Sequence, residues 1–137
     1  MSWVLAVAFC LVTAACTADG GPRLEYTVEL EVRDGWVREP GTGCSGSRPF
    51  LHVHRDAGYR IEEQGGGEVV ASGTLPEGRA VEALREDLGV PRVPTFCRFT
   101  FTLGLPERGD FRFVLEEGVP LPFSAGEPSR PVTLIIP

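Results

Sequence analysis

The stretch CRFTFTLGL, residues 97–105, decides the fold. Cys97, Phe99, Phe101, Leu103 and Leu105 take every second position, and Arg98, Thr100, Thr102 and Gly104 fall between them. Successive side chains on a strand point to opposite faces, so this spacing predicts one buried face and one wet face. Leu24, Tyr26, Val28, Leu30 and Val32 show the same period, alternating with Glu25, Thr27, Glu29, Glu31 and Arg33. Phe111, Phe113 and Leu115 repeat it after a turn at residues 106–110.

The remaining segments follow outward from these three. Asp34-Gly35 marks a turn, after which Trp36 and Val37 extend or restart the first strand. Residues 39–49 form a glycine-rich loop holding Cys44. Phe50 to His54 read as a short strand and Tyr59 to Glu63 as the next. Three consecutive glycines at 65–67 predict a hairpin into a strand from Val69 to Leu75. Between Arg79 and Leu88 the period changes. Val81, Leu84 and Leu88 lie three and four apart among charges, which predicts a short helix stopped by Gly89 and Pro91. The prolines within residues 118–122 suit an edge or a loop, and Val132 to Ile136 close the chain as a strand. The sum is seven or eight short strands and one short helix. That pattern predicts an all-β antiparallel β-sandwich, with a closed barrel as the alternative that alternation does not separate from it. Trp36 and Phe96 are expected in its core.

The first residues read differently. Trp3 to Val12 are apolar and uncharged, Thr13, Ala14 and Ala15 are small, and Cys16 precedes a polar, turn-forming segment to Pro22. About ten apolar residues are too few for a membrane span, which needs about twenty. The order fits an export signal over residues 1–15 that ends at a lipid-modifiable Cys16, a tether over residues 16–22, and a β-sandwich domain over residues 23–137. No Lys or Arg precedes Arg23, and Thr13 stands where lipoprotein signals usually carry Leu or Val. A diacylated cysteine supplies two chains, enough for stable attachment to a membrane. The expected location is the cell envelope, at the outer face of the cytoplasmic membrane, with simple secretion as the alternative.

Net charge is −6, and all 13 basic residues are arginine. Lysine and asparagine are both absent, which fits a GC-rich bacterial genome and excludes N-glycosylation. Glu25, Glu29, Glu31, Glu62, Glu63, Glu116 and Glu117 are spread along the chain. An acidic surface of this kind argues against nucleic acid as a partner. Beyond Cys10 and Cys16, only Cys44 and Cys97 remain, and two cysteines in an exported domain most simply form one disulfide. The bridge would close a loop of about 54 residues and contribute about 4 kcal/mol by the chain-entropy argument. It would pin the two halves of the sandwich together.

Three segments taken together resemble a known group. They are Gly43-Cys44-Ser45-Gly46; Val69-Val70-Ala71-Ser72-Gly73-Thr74-Leu75 with Gly78; and Cys97-Arg98-Phe99-Thr100-Phe101 with Leu105-Pro106. They are similar to small secreted lipoproteins of actinobacteria, over about residues 43–115. The resemblance implies an immunoglobulin-like or transthyretin-like sandwich and carries no catalytic residues. Leu103-Gly104-Leu105-Pro106 replaces the usual alternating ending, and the "S-H-R-G" segment of many such proteins is missing after Phe113.

Candidate chemistry is sparse. His52 and His54 are the only histidines, and on a strand they would share a face. They are low-ranking metal candidates, with Asp56 or a nearby glutamate as third ligand, and an exposed strand face explains them better. Ser45 and Ser47 lack the strand-to-helix turn of a hydrolase nucleophile. No P-loop or dinucleotide fingerprint is present. Glu62-Glu63 and Glu116-Glu117 are adjacent pairs, whose side chains diverge on a strand. No cofactor is expected. The reading is a non-enzymatic cell-envelope lipoprotein, an interaction or ligand-binding module whose partner is an envelope protein or a small ligand. The alternatives are a metal-binding or hydrolytic protein using His52 and His54, and an accessory subunit of an envelope complex.

Overall fold

The computed structural model describes residues 22–107 and 109–137. The expected signal over residues 1–15 and the lipidation site Cys16 lie outside them. Nine strands follow in order: β1 (Arg23–Arg38), β2 (Gly43–Cys44), β3 (Gly58–Glu63), β4 (Val69–Thr74), β5 (Gly78–Glu82), β6 (Val93–Pro106), β7 (Gly109–Leu115), β8 (Leu121–Ala125) and β9 (Val132–Ile136). They form two sheets, ordered β2-β5-β6-β1-β9 and β4-β3-β7-β8. Every ladder is antiparallel except β1 with β9, which is parallel. The fold is all-β and β-sandwich-like.

The alternation read from the sequence builds the core. Tyr26, Val28, Leu30 and Val32 of β1 are fully buried, as are Cys97, Phe99 and Leu105 of β6. They pack against Ile61, Phe111, Phe113 and Leu115 of the other sheet. Tyr59, Phe101 and Phe113 stack between the sheets with ring centroids 5.0 to 6.1 Å apart. β1 and β6 pair directly along most of their length, Leu30 opposite Phe99 and Glu31 opposite Arg98. On the wet face of that ladder Arg98 donates to Oε1 of Glu31 through Nε (3.1 Å) and Nη2.

The expected turn at Asp34-Gly35 is a bulge inside β1, where the register with β6 shifts between Val32 and Trp36. The strand continues to Arg38, held there by the Arg38–Asp34 ion pair at 2.8 Å.

The structure corrects four expectations. The short helix at residues 79–88 is absent, and no helix occurs among the described residues. Its first half is β5, paired with β6 from Arg79↔Arg98 to Glu82↔Thr95. An isolated ten-residue helix is marginal in water, whereas the β6 edge satisfies four residues at once. Leu84 and Leu88, the would-be apolar stripe, are exposed. Residues 50–54 are turns, not a strand. Phe50 N–H donates to Ser47, Val53 N–H to Phe50 and Gly46 N–H to Val53, so the loop folds on itself and plugs Val53 into the core. Trp36 is 55% exposed rather than in the core, with the Arg38 guanidinium 6.0 Å from its ring. Phe96 is half-buried on the wet face of β6, under Arg33.

The fourth correction concerns the disulfide. Cys44 and Cys97 are bonded, as the cysteine count predicted, with Cα atoms 5.8 Å apart. The bridge lies within one sheet, from β2 across β5 to β6, and so does not join the two halves. Strands on either side of a third are normally about 9.5 Å apart. The bridge crosses β5 at Gly78, which pairs with Cys44. A Cβ at Gly78 would sit 2.6 Å from Cys97 Sγ and 2.7 Å from the Cys44 carbonyl oxygen, so only glycine fits under the sulfurs.

Candidate functional site

The strand directions give the domain two distinct ends. Arg23 begins β1 opposite Pro106, and its guanidinium donates to the carbonyls of Val70 and Gly104. The hairpin at residues 64–68 and the β6–β7 turn lie at this same end, where Gln64 bonds the backbone of Asp110 and Phe111. At the opposite end β1 finishes at Arg38, β7 at Leu115 and β9 at Ile136. There the loops 45–57 and 116–120 meet, and two adjoining clefts open between them.

The first cleft has a volume of about 310 Å³ and enters the seam between the sheets. Its walls include Phe50 from the 45–57 loop, Phe113 and Leu115 from β7, Leu121 from β8 and Ile136 from β9. The alternation of each strand aims these side chains inward. Val119, on the turn after β7, lines the same cleft and is 83% exposed. The charged or polar side chains in this wall are His52 and Glu117. A concave site of roughly 300 Å³ with an apolar lining and few polar groups is the usual form of a small-ligand pocket.

The second cleft, about 420 Å³, shares His52 and Glu117 with the first and sets Leu51 and Ala57 in a mostly polar wall. His54, Asp56, Thr74 and Glu116 line it. Two glycines let its side chains lie flat on the backbone. A Cβ at Gly58 would stand 2.9 Å from Glu116 Oε1, and one at Gly118 would stand 3.2 Å from His52 Nε2.

His52 and His54 thus come to the same end of the molecule, but on turns rather than on one strand face. His52 is half-buried between the clefts; His54 is exposed, and its Nδ1 lies 2.6 Å from the Arg55 carbonyl oxygen. Among the described residues no three His, Cys, Asp or Glu side chains are grouped as they would be around a metal ion. Ser47 caps a turn through its carbonyl. Glu116 and Glu117 sit exposed after β7, at the clefts. Glu62 and Glu63 are remote, at the other end of β3. Arg60 donates to Glu62 at 2.6 Å and Arg112 donates to it at 3.0 Å, and the Arg60 hydrogen bond, followed by the charges of both guanidiniums, holds its carboxyl below the usual range. Burial pushes the Tyr59 hydroxyl above its ordinary value.

No known protein family, curated protein or solved structure matches the chain. The apolar lining was not legible as a site, because Phe113 and Leu115 read as ordinary core and Leu121 as part of an edge or a loop. The available signal was Glu116-Glu117-Gly118-Val119-Pro120, a turn that carries an apolar residue between acids and a proline.

Proposed function

We propose that the protein is a non-enzymatic, lipid-anchored component of the cell envelope whose β-sandwich-like domain takes up a small apolar group. Cys16 would carry the lipid, at the outer face of the cytoplasmic membrane, and residues 17–22 would be the tether. The reading extends to an immunoglobulin-like or transthyretin-like sandwich of the kind that the resemblance to small actinobacterial lipoproteins implies. The observation that carries the ligand reading is the apolar cleft under Val119, which opens beyond Leu115 and Ile136, the strand ends away from Arg23. A domain tethered through its N-terminus would hold that cleft toward the exterior, clear of the bilayer.

Two measurements test the two halves. Radiolabelled fatty acid should enter the protein and be lost in Cys16→Ser; unmodified protein released into the medium would refute the attachment. Titration with 1-octanol should shift the amide resonances of Phe113, Leu115 and Leu121 selectively, and Val119→Glu should weaken binding by placing a charge in an apolar mouth. Octanol shifts absent from those residues, or unaffected by Val119→Glu, would refute the cleft as a binding site.

A further inference from the structure

The two clefts differ in character but share a wall. The inner one is apolar, with His52 and Glu117 at its edge; the outer one is lined by Glu116, Glu117, Asp56 and the two histidines. No arginine lines either. Asp56 has Arg55 beside it at 3.8 Å, whereas Glu116 and Glu117 have no ion-pair partner among the described residues. Glu31 is paired with Arg98, and Glu62 with Arg60 and Arg112, whereas no arginine stands in the cleft walls. Two unneutralised carboxylates beside an apolar cleft make a local field that attracts a cation and repels an anion. Gly58 and Gly118 add to the arrangement, since side chains there would displace Glu116 and His52 from the wall.

We infer that the paired clefts form one site for an apolar group bearing a cationic nitrogen head, with the apolar part beside Phe50 and Leu121 and the head over Glu116 and Glu117. This rests on the apolar-cleft reading above and adds the head-group chemistry. A carboxylate or phosphate head is disfavoured, because it would meet the same two acids with no arginine in the wall to offset them.

Octylammonium, 1-octanol and octanoate share one tail and differ in head charge, so their affinities at neutral pH separate the two readings. Octylammonium should bind about tenfold more tightly than octanol, and octanoate more weakly than octanol. Glu116→Gln together with Glu117→Gln should remove the preference, so that octylammonium and octanol bind this variant with equal affinity. About 0.5 M salt should narrow the preference in the unaltered protein. Equal binding of octylammonium and octanol would overturn the head-group inference and leave the apolar cleft standing. Failure of all three ligands to bind would overturn both. A double variant that loses octanol and octylammonium alike would show that the two glutamates shape the cleft rather than supply its charge, and would overturn the inference as well.

Discussion

Gly78→Ala should be a costly single-methyl addition. Gly78 has no left-handed backbone, so alanine would incur no penalty from φ. At an open position such an exchange stabilises a protein by about 0.4–1 kcal/mol, by narrowing the unfolded ensemble. Here the new Cβ would stand 2.6 Å from Cys97 Sγ, 2.7 Å from the Cys44 carbonyl oxygen and 2.8 Å from Cε1 of Phe99. None of the three can step aside alone. The sulfur is bonded, the carbonyl belongs to β2 where it pairs with β5, and Phe99 is fully buried. Overpacking of this kind costs about 1–3 kcal/mol, and three rigid obstacles put the expectation near 3. The clash therefore exceeds the entropic gain several-fold. Urea unfolding with the disulfide intact measures it, with Gly104→Ala as the control. Gly104 lies on β6 with nothing within 4 Å of its would-be Cβ, so that variant should gain about 0.5 kcal/mol. Removing the sulfurs by Cys44→Ala and Cys97→Ala should lower the cost of Gly78→Ala without abolishing it, because the carbonyl and the ring remain. A loss below about 0.5 kcal/mol in the disulfide-bonded protein would refute the reasoning, as would a cost unchanged by removal of the sulfurs.

Replacing both cysteines by alanine should by itself cost about 4 kcal/mol in urea unfolding, since the bridge spans 53 positions; a loss under about 1 kcal/mol would mean that the unfolded chain keeps β2, β5 and β6 together. Arg98→Ala leaves the nearly buried Glu31 carboxylate without its donor and should cost about 2 kcal/mol; adding Glu31→Gln should recover part of this, and no recovery would argue that Arg98 acts through its packed stem. Glu62 has a depressed folded pKa, so its stabilisation is present above the unfolded value near 4.5 and is lost as pH falls through the folded one. Stability measured from about pH 5 to about pH 3 should therefore fall less steeply in Glu62→Gln than in the unaltered protein, and parallel curves would show that Glu62 is not a source of the acid sensitivity.

The sequence was most legible where one physical demand acted alone. Residues 24–32 and 97–105 each bury one face against an apolar layer, and a period of two follows from that demand. The errors fall where two demands compete. Phe50 to His54 alternate as a strand would, yet Val53 answers a need for one apolar plug, and Gly46, where a side chain would collide with the Phe50 carbonyl, lets the loop turn back on itself. Residues 79–88 carry a helical spacing over a segment whose first half was claimed by an unpaired edge of β6, a partner no local pattern can announce. Trp36 lies beyond a bulge, and the shift between Val32 and Trp36 breaks the continuity of the inward face on which its expected burial depended. The disulfide was readable from the cysteine count, but its path was not. It needed Gly78, whose role depends on strand order rather than on neighbours in sequence.

The same competition explains why a site forms at one end. Arg98 and Arg112 neutralise Glu31 and Glu62 on the ladder faces, whereas no arginine lines the two clefts beyond Leu115. Of the nine large apolar side chains exposed among the described residues, Leu51 and Val119 lie on the loops that border the clefts. Exposed apolar residues scattered singly need no explanation, but these two border the paired clefts. In that setting Glu116 and Glu117 are the acids that the fold leaves free beside the apolar cleft, and their charge is available to whatever enters it.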